Sequence, residues 1–176
     1  MLVKWGDVVM KAISVNQALR IDRPTLGKTI PLSLWRLLRL VAMPRAMGED
    51  AVELDRKIGL EFGYLLKIEK HEDISNAINR AKIGVCKPME KNKNTYALEF
   101  TECFTCSGIN PIVGEPICNF EAAIVEAALK RLGETIIEVK ETKCSGGLGD
   151  KVCRIEAKVK GGKSLKNNHF IHSGSI

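Results

Sequence analysis

No uninterrupted apolar run in this sequence approaches the ~18 residues that a membrane span requires. An integral helical membrane protein is therefore not expected. Histidines number three and aromatic residues make up 5% of the chain, which leaves no imidazole in a confident pocket helix to hold haem. Ser-His-Asp order, a phosphate loop, G-x-G-x-x-G and HExxH are all missing, so catalysis has no support from motifs. Asp7 interrupts what would be the apolar region of a leader, and no small-residue cleavage site follows it. A cytoplasmic protein is expected. Neither sign of charge is scarce: 27 Lys and Arg stand against 21 Asp and Glu, a net +6. The basic residues are scattered, and their denser runs, Lys91 to Lys93 and Lys160 to Lys166, fall in turn-like or terminal segments. Nucleic acid is not an expected partner.

What is present is a 176-residue chain, 45% apolar and 27% charged, which fits one globular domain over residues 1–160 with a flexible tail at 161–176. A core of that size folds without help from metal or disulfide. Residues 1–20 are compatible with an amphipathic helix or extension that ends near residue 22, before Pro24. Ser33 is a plausible N-cap for a buried or interface helix in which Leu34, Leu38 and Val41 repeat at helical spacing until Pro44. Between Gly48 and Ile68 the residues Ala51, Leu54, Ile58, Phe62 and Leu65 form an apolar stripe, and Gly59 and Gly63 offer a place where a second backbone can approach. A short helix is expected over residues 73–80.

From residue 81 the period falls to two. Ala81, Ile83 and Val85 suggest one strand; Tyr96, Leu98 and Phe100 suggest a second, antiparallel to it. Helical spacing resumes at Phe120, Ile124, Ala128 and Leu132 and closes at Gly133. Ile137, Val139 and Glu141 then share a face of a third strand, and Cys153, Ile155, Ala157 and Val159 alternate with charged residues in a fourth. The order implies an α+β protein whose helical N-terminal half packs on a mainly antiparallel sheet of four or five strands with one crossing helix.

Six cysteines in a reducing compartment favour metal or redox chemistry over disulfides. Cys118 lies at the first turn of a helix, Glu141 and Cys144 end a strand, and Cys153 opens the next. An unpaired carboxylate on the apolar face of that strand is costly, and a cation would satisfy it. Gly146, Gly147 and Gly149 allow the intervening loop to close tightly. Three thiolates and a carboxylate suit tetrahedral zinc in a closed, structural site. The alternative is a set of buried free thiols that pack as small hydrophobes. Cys103-x-x-Cys106 ends the second strand without the helix that a thioredoxin-like dithiol requires, and it is a redox pair, half of a metal site, or a coincidence. Cys86 is an isolated thiol, His71 reads as solvated, and His169-x-x-His172 reads as incidental.

The stretches GEPICNFEAAIVEAALKRLG, IIEVKETKC and GDKVCRIEAKV resemble the 4-vinyl reductase, or hydrocarbon-binding, domain of archaeal proteins and of bacterial aromatic-sensing transcription activators. Cys118, Glu141, Cys144, Cys153, Arg154 and Glu156 occupy its motif positions. The loop between Cys144 and Cys153 is one residue longer than in the aromatic sensors. The resemblance implies a structural zinc at the first four of those residues. It also implies a fold shared with haem-based nitric oxide sensors and Golgi tethering subunits, often with an apolar pocket.

Trp35, Leu38, Phe62, Tyr96, Leu98 and Phe100 are the candidate pocket walls. The expected function is a sensor or binding module for a small apolar molecule. Two alternatives stand beside it: a homodimeric scaffold for a separate protein partner, and a tetrapyrrole or redox enzyme subunit that depends on Cys103 or Cys106.

Overall fold

The computed structural model describes residues 2–5, 8–11, 14–26, 29–91 and 94–160; the tail with His169 and His172 lies outside them. Its centre is a four-stranded antiparallel sheet in the order β3-β4-β6-β5, built from Val85–Lys91 (β3), Thr95–Thr101 (β4), Thr135–Lys143 (β5) and Cys153–Lys160 (β6). The α+β architecture read from the sequence is the observed one. In β6 the alternation is complete, with Cys153, Ile155, Ala157 and Val159 buried and the intervening positions more exposed.

Helix α6 (Asn119–Arg131) crosses this sheet and is itself covered by α4 (Asp50–Leu65), giving three layers. The sequence marks one apolar face on α6, yet every residue from Phe120 to Leu129 is buried. A helix enclosed on both sides must be apolar or paired all round. Glu126 meets this condition by pairing with Arg56 of α4 and with Lys130 at 2.6 Å.

The buried stripe of α4 is Ala51, Asp55, Gly59 and Gly63, rotated from the expected Ala51–Leu54–Ile58–Phe62–Leu65 stripe. Small residues win because the two helices nearly touch. A Cβ on Gly59 would stand 2.5 Å from the Phe120 carbonyl oxygen, and one on Gly63 would stand 2.7 Å from the Ala127 Cβ. Alanine adds ~1 kcal/mol of helix propensity, whereas overpacking costs ~1–3 kcal/mol and the neighbours here include backbone. Gly59→Ala is therefore expected to lower the melting temperature, and a raised one would show that α4 and α6 can separate freely.

The N-terminal region departs from the expected helix over residues 1–20. Leu2–Trp5 (β1) pairs antiparallel with Val8–Lys11 (β2), and only Val15–Ala18 (α1) is helical there. The β-branched Val3, Val8 and Val9 around the dipeptide Gly6-Asp7 form a hairpin sequence.

The next helical run also differs from expectation. Leu32–Arg36 (α2) starts after Pro31 rather than at Ser33, passes into a π-helical turn at Leu37–Ala42, and continues through Pro44 as Met43–Met47 (α3). A proline in an α-helix clashes with the carbonyl four residues back. The wider π turn, in which the Met43 N–H reaches the Leu38 carbonyl, removes that conflict. Arg39 is buried, but Leu37 and Leu38 are 57% and 53% exposed.

Helix α5 (His71–Arg80) begins with the Asp73 carboxylate accepting the backbone N–H of Lys70 at 3.1 Å. His71 is not free in solvent: its Nε2 lies 3.0 Å from Glu134. Ala81 and Ile83 precede β3 instead of starting it. Ile137 sits at a β5 bulge and is 66% exposed, leaving Ile136 and Val139 as the residues packed on the core.

Candidate metal centre

Five of the six cysteines, Cys103, Cys106, Cys118, Cys144 and Cys153, converge where the sheet meets the start of α6, and all are buried. Each is placed by a different local device. Cys118 is the N-cap residue of α6, and its backbone N–H donates to Glu141 Oε2 at 2.8 Å. Glu141 is turned by a second β5 bulge, between Glu141 and Lys143. Cys144 precedes the short helix α7 (Ser145–Leu148), and its sulfur accepts the Gly147 N–H at 3.3 Å. Cys153 opens β6, directly opposite Phe100 of β4, and accepts the Ser145 N–H at 3.4 Å.

The glycines of α7 are required by contact. A Cβ on Gly146 would run into the Cys106 carbonyl oxygen, and one on Gly147 would run into that of Glu115.

The Cys-x-x-Cys is the part of the cluster that the sequence leaves open. It follows β4, so the pairing of Phe100 with Cys153 carries it over the start of β6. Cys106 Sγ lies 3.0 Å from Cys153 Sγ, and Cys103 Sγ lies 3.7 Å from Cys118 Sγ. Arg36 holds this loop by donating to the carbonyl oxygens of Phe104 at 2.6 Å, Ser107 at 2.8 Å and Cys103 at 3.3 Å. The available sequence signals were the Cys-x-x-Cys spacing and an arginine in an otherwise apolar helix.

The donors form two overlapping groups, Cys118–Glu141–Cys144–Cys153 and Cys103–Cys106–Cys118–Cys153. An ion ~2.3 Å from four sulfurs in a tetrahedron holds them about 3.8 Å apart. Cys118 lies 3.8 Å from Cys144 and 3.9 Å from Cys153. Glu141 Oε1 is buried without a hydrogen-bond partner, and burial raises the pKa of its carboxyl. Hydrogen bonds among the sulfurs, with Cys103 first, and burial hold the Cys153 thiol protonated up to about 12. Cys106, the sulfur that accepts from its neighbours, is pushed the other way. A divalent cation would replace these protons and satisfy the orphaned carboxylate oxygen. Thiolate-rich, closed tetrahedral donor sets fit zinc or a similarly soft ion.

Beside the sulfurs lies a buried ionic knot. Arg39 pairs with Asp55, donates to Thr105 Oγ1 at 2.5 Å and sits 3.7 Å from Glu121 Oε2. Burial opposes the arginine's charge, but the bond to Asp55 and the field of Glu121 outweigh it and raise the Arg39 pKa. Burial raises that of Glu121, whose Oε1 accepts from Thr105 and, at 3.2 Å, from the Cys103 thiol.

The six candidate wall residues do not occupy one place. Tyr96, Leu98 and Phe100 belong to the buried core on β4. Trp35 and Phe62 flank Phe120, with ring centroids 6.4 and 5.8 Å from it. Phe104 lies 5.6 Å from Phe120 in the same aromatic group. Leu38 is exposed.

Comparison with known proteins places residues 97–159 in a match to the 4-vinyl reductase domain. Two uncharacterized proteins of Methanocaldococcus jannaschii are 28% identical over 142 residues, 81% of this chain and 86% of theirs, and 29% identical over 139 residues, 77% and 79%. Among solved structures, the phenol-responsive sensory domain of the transcription activator PoxR, with phenol, is similar at TM-score 0.60 and 18% identity, covering 74% of this chain and 75% of that one. A vinyl-4-reductase family protein from M. jannaschii reaches TM-score 0.58 at 24% identity, covering 77% and 85%. Subunit 3 of a trafficking protein particle complex from Naegleria fowleri, covalently bound to palmitic acid, reaches 0.51 at 16%, covering 77% and 98%. These likenesses establish a shared fold. No described helix is long and apolar enough to cross a membrane.

Proposed function

The chain belongs to the 4-vinyl reductase domain family through residues 97–159, and from that premise we propose that it is a binding or sensor module for a small apolar molecule, stapled by a structural zinc at Cys118, Glu141, Cys144 and Cys153. The ligand reading is carried by one observation: in the aromatic group around Phe120, the Trp35 indole N–H is buried and has no hydrogen-bond partner. An unsatisfied buried donor costs ~1–3 kcal/mol, and an aromatic molecule with an acceptor group would both stack there and relieve it. The phenol of the PoxR sensory domain and the palmitic acid of the tethering subunit are apolar ligands on the same fold. They support the ligand class rather than either compound.

The zinc reading rests on the donor set, in which every position is filled by protein and no vacancy remains for an activated water. All six cysteines are free thiols, consistent with the reducing cytoplasm we propose as its setting.

Ligand binding is tested by thermal shift against a library of small hydrophobic compounds, read together with tryptophan fluorescence. A true ligand stabilises by RT ln(1 + [L]/Kd), ~2.7 kcal/mol at a hundredfold excess over Kd. Trp35→Phe should weaken that shift. The absence of any shift across the library would overturn the ligand reading.

A second reading, a homodimer or a docking scaffold for another protein, is favoured by the exposed Leu34, Leu37 and Leu38 on one helical run.

A further inference from the structure

Six donors share the pocket, two more than one tetrahedral ion can use. The two groups have Cys118 and Cys153 in common, and their private members are Glu141 and Cys144 on one side and Cys103 and Cys106 on the other. Two tetrahedra that share an edge need six vertices, and the shared edge here is the Cys118–Cys153 pair, 3.9 Å apart. We propose that the chain holds a second divalent ion between Cys103, Cys106, Cys118 and Cys153, so that the thiolates of Cys118 and Cys153 bridge a two-metal centre. The inference rests on the metal reading of the first group and extends it.

The second group has the features of a built site. Cys103 and Cys106 are fully buried in a turn with no sheet or helix of its own, where polar loop residues would otherwise be expected. The turn is shaped by the Arg36 clamp and by the Ser107 N–H, which donates to the Cys103 carbonyl at 2.9 Å. Cys103 Sγ stands 3.7 Å from Cys118 Sγ, close to the spacing of two ligands on one ion. At 3.0 Å, Cys106 and Cys153 are nearer than that, in a thiol–thiolate contact, and must move apart by a fraction of an ångström when an ion replaces the shared proton.

Loading both ions releases the five thiol protons to solvent, and six negative donors then face four positive charges. The N–H groups of Ser145 and Gly147, which already donate to the Cys153 and Cys144 sulfurs, stabilise the excess negative charge. So does the guanidinium of Arg36 on the loop carbonyls.

The test is an anaerobic titration of the metal-free full chain with cobalt(II), followed by thiolate-to-cobalt absorption and by electron paramagnetic resonance. The expected result is absorption that rises to two ions per chain. The paramagnetic signal of the first ion should be lost as the second couples to it through the shared sulfurs. Cys103→Ser with Cys106→Ser should saturate at one ion and keep that signal. Because the stoichiometry of the unaltered chain is read independently, the test survives even if the variant does not fold. Saturation of the unaltered chain at one ion overturns the two-metal centre and leaves the single-zinc reading intact; no binding at all overturns both. Two ions that remain magnetically independent would also overturn the bridge, as would acid-labile sulfide in the purified protein, which would mark an iron–sulfur cluster.

Discussion

Cys118→Ser is expected to abolish metal retention and to lower stability by on the order of 5 kcal/mol, because the free energy of structural zinc binding, ~10–16 kcal/mol in small metal-folded peptides, is also folding free energy. Cys118 is the residue to change because it belongs to both donor groups and starts the helix at the centre of the protein. Serine is a better N-cap than cysteine, so the substitution should not harm the start of α6, and any large loss reports the metal. Cys86→Ser serves as a control. Its thiol is also buried, with a pKa pushed up to about 12 by desolvation, but it lies outside the cluster. It should cost less and leave the metal in place. Thermal unfolding with and without a chelator separates the contributions: chelator should bring the unaltered chain down towards the Cys118→Ser variant and leave the variant unmoved. Equal melting temperatures for all of these would remove the metal from the account of stability.

Arg39→Met is expected to cost ~3–5 kcal/mol at pH 8, the range for breaking a buried ion pair by removing one partner. Methionine replaces much of the volume, but Asp55 and Glu121 would lose the cation that faces both, and the Phe120 ring would lose the guanidinium 4.8 Å from its centroid. The pH dependence has a definite sign. Glu121 is a carboxyl whose pKa is raised in the folded protein by burial, so ionising it opposes folding. That penalty is absent below the unfolded-state value near 4.5, grows as pH rises towards the folded value, and is larger without Arg39. Urea unfolding should therefore show a smaller gap between variant and parent at pH 5 than at pH 8. A gap that is independent of pH, or under ~1 kcal/mol, would mean that the knot is solvated.

The parts of this fold that were legible in the sequence are those decided locally. In β6 one face is buried, so the alternation from Cys153 to Val159 is written into the residues. Cys118, Glu141 and Cys144 carry their own local context, a helix start and a strand end, and the structure brings them together with Cys153. What was not legible depended on partners distant in the chain. The α4 stripe rotated because Gly59 and Gly63 meet the backbone and Ala side chains of α6, and nothing within α4 announces that neighbour.

Pro44 reads as a stop only if the helix before it is strictly α. Cys103 and Cys106 join the cluster through the register of β4 on β6, two strands separated in sequence by a helix and a third strand. Arg39 is an ordinary helix former in sequence, and its burial follows from Asp55 and Glu121 lying on two other helices.

The most direct test of a metal-stapled binding module is native mass spectrometry of the full chain, purified without an affinity-metal step. The account predicts zinc on every chain, lost in Cys118→Ser, and an added small-molecule mass on part of the population; the same spectrum shows whether the exposed leucines make a dimer. Chains that carry no metal, and unfold at the same temperature with or without chelator, would contradict it.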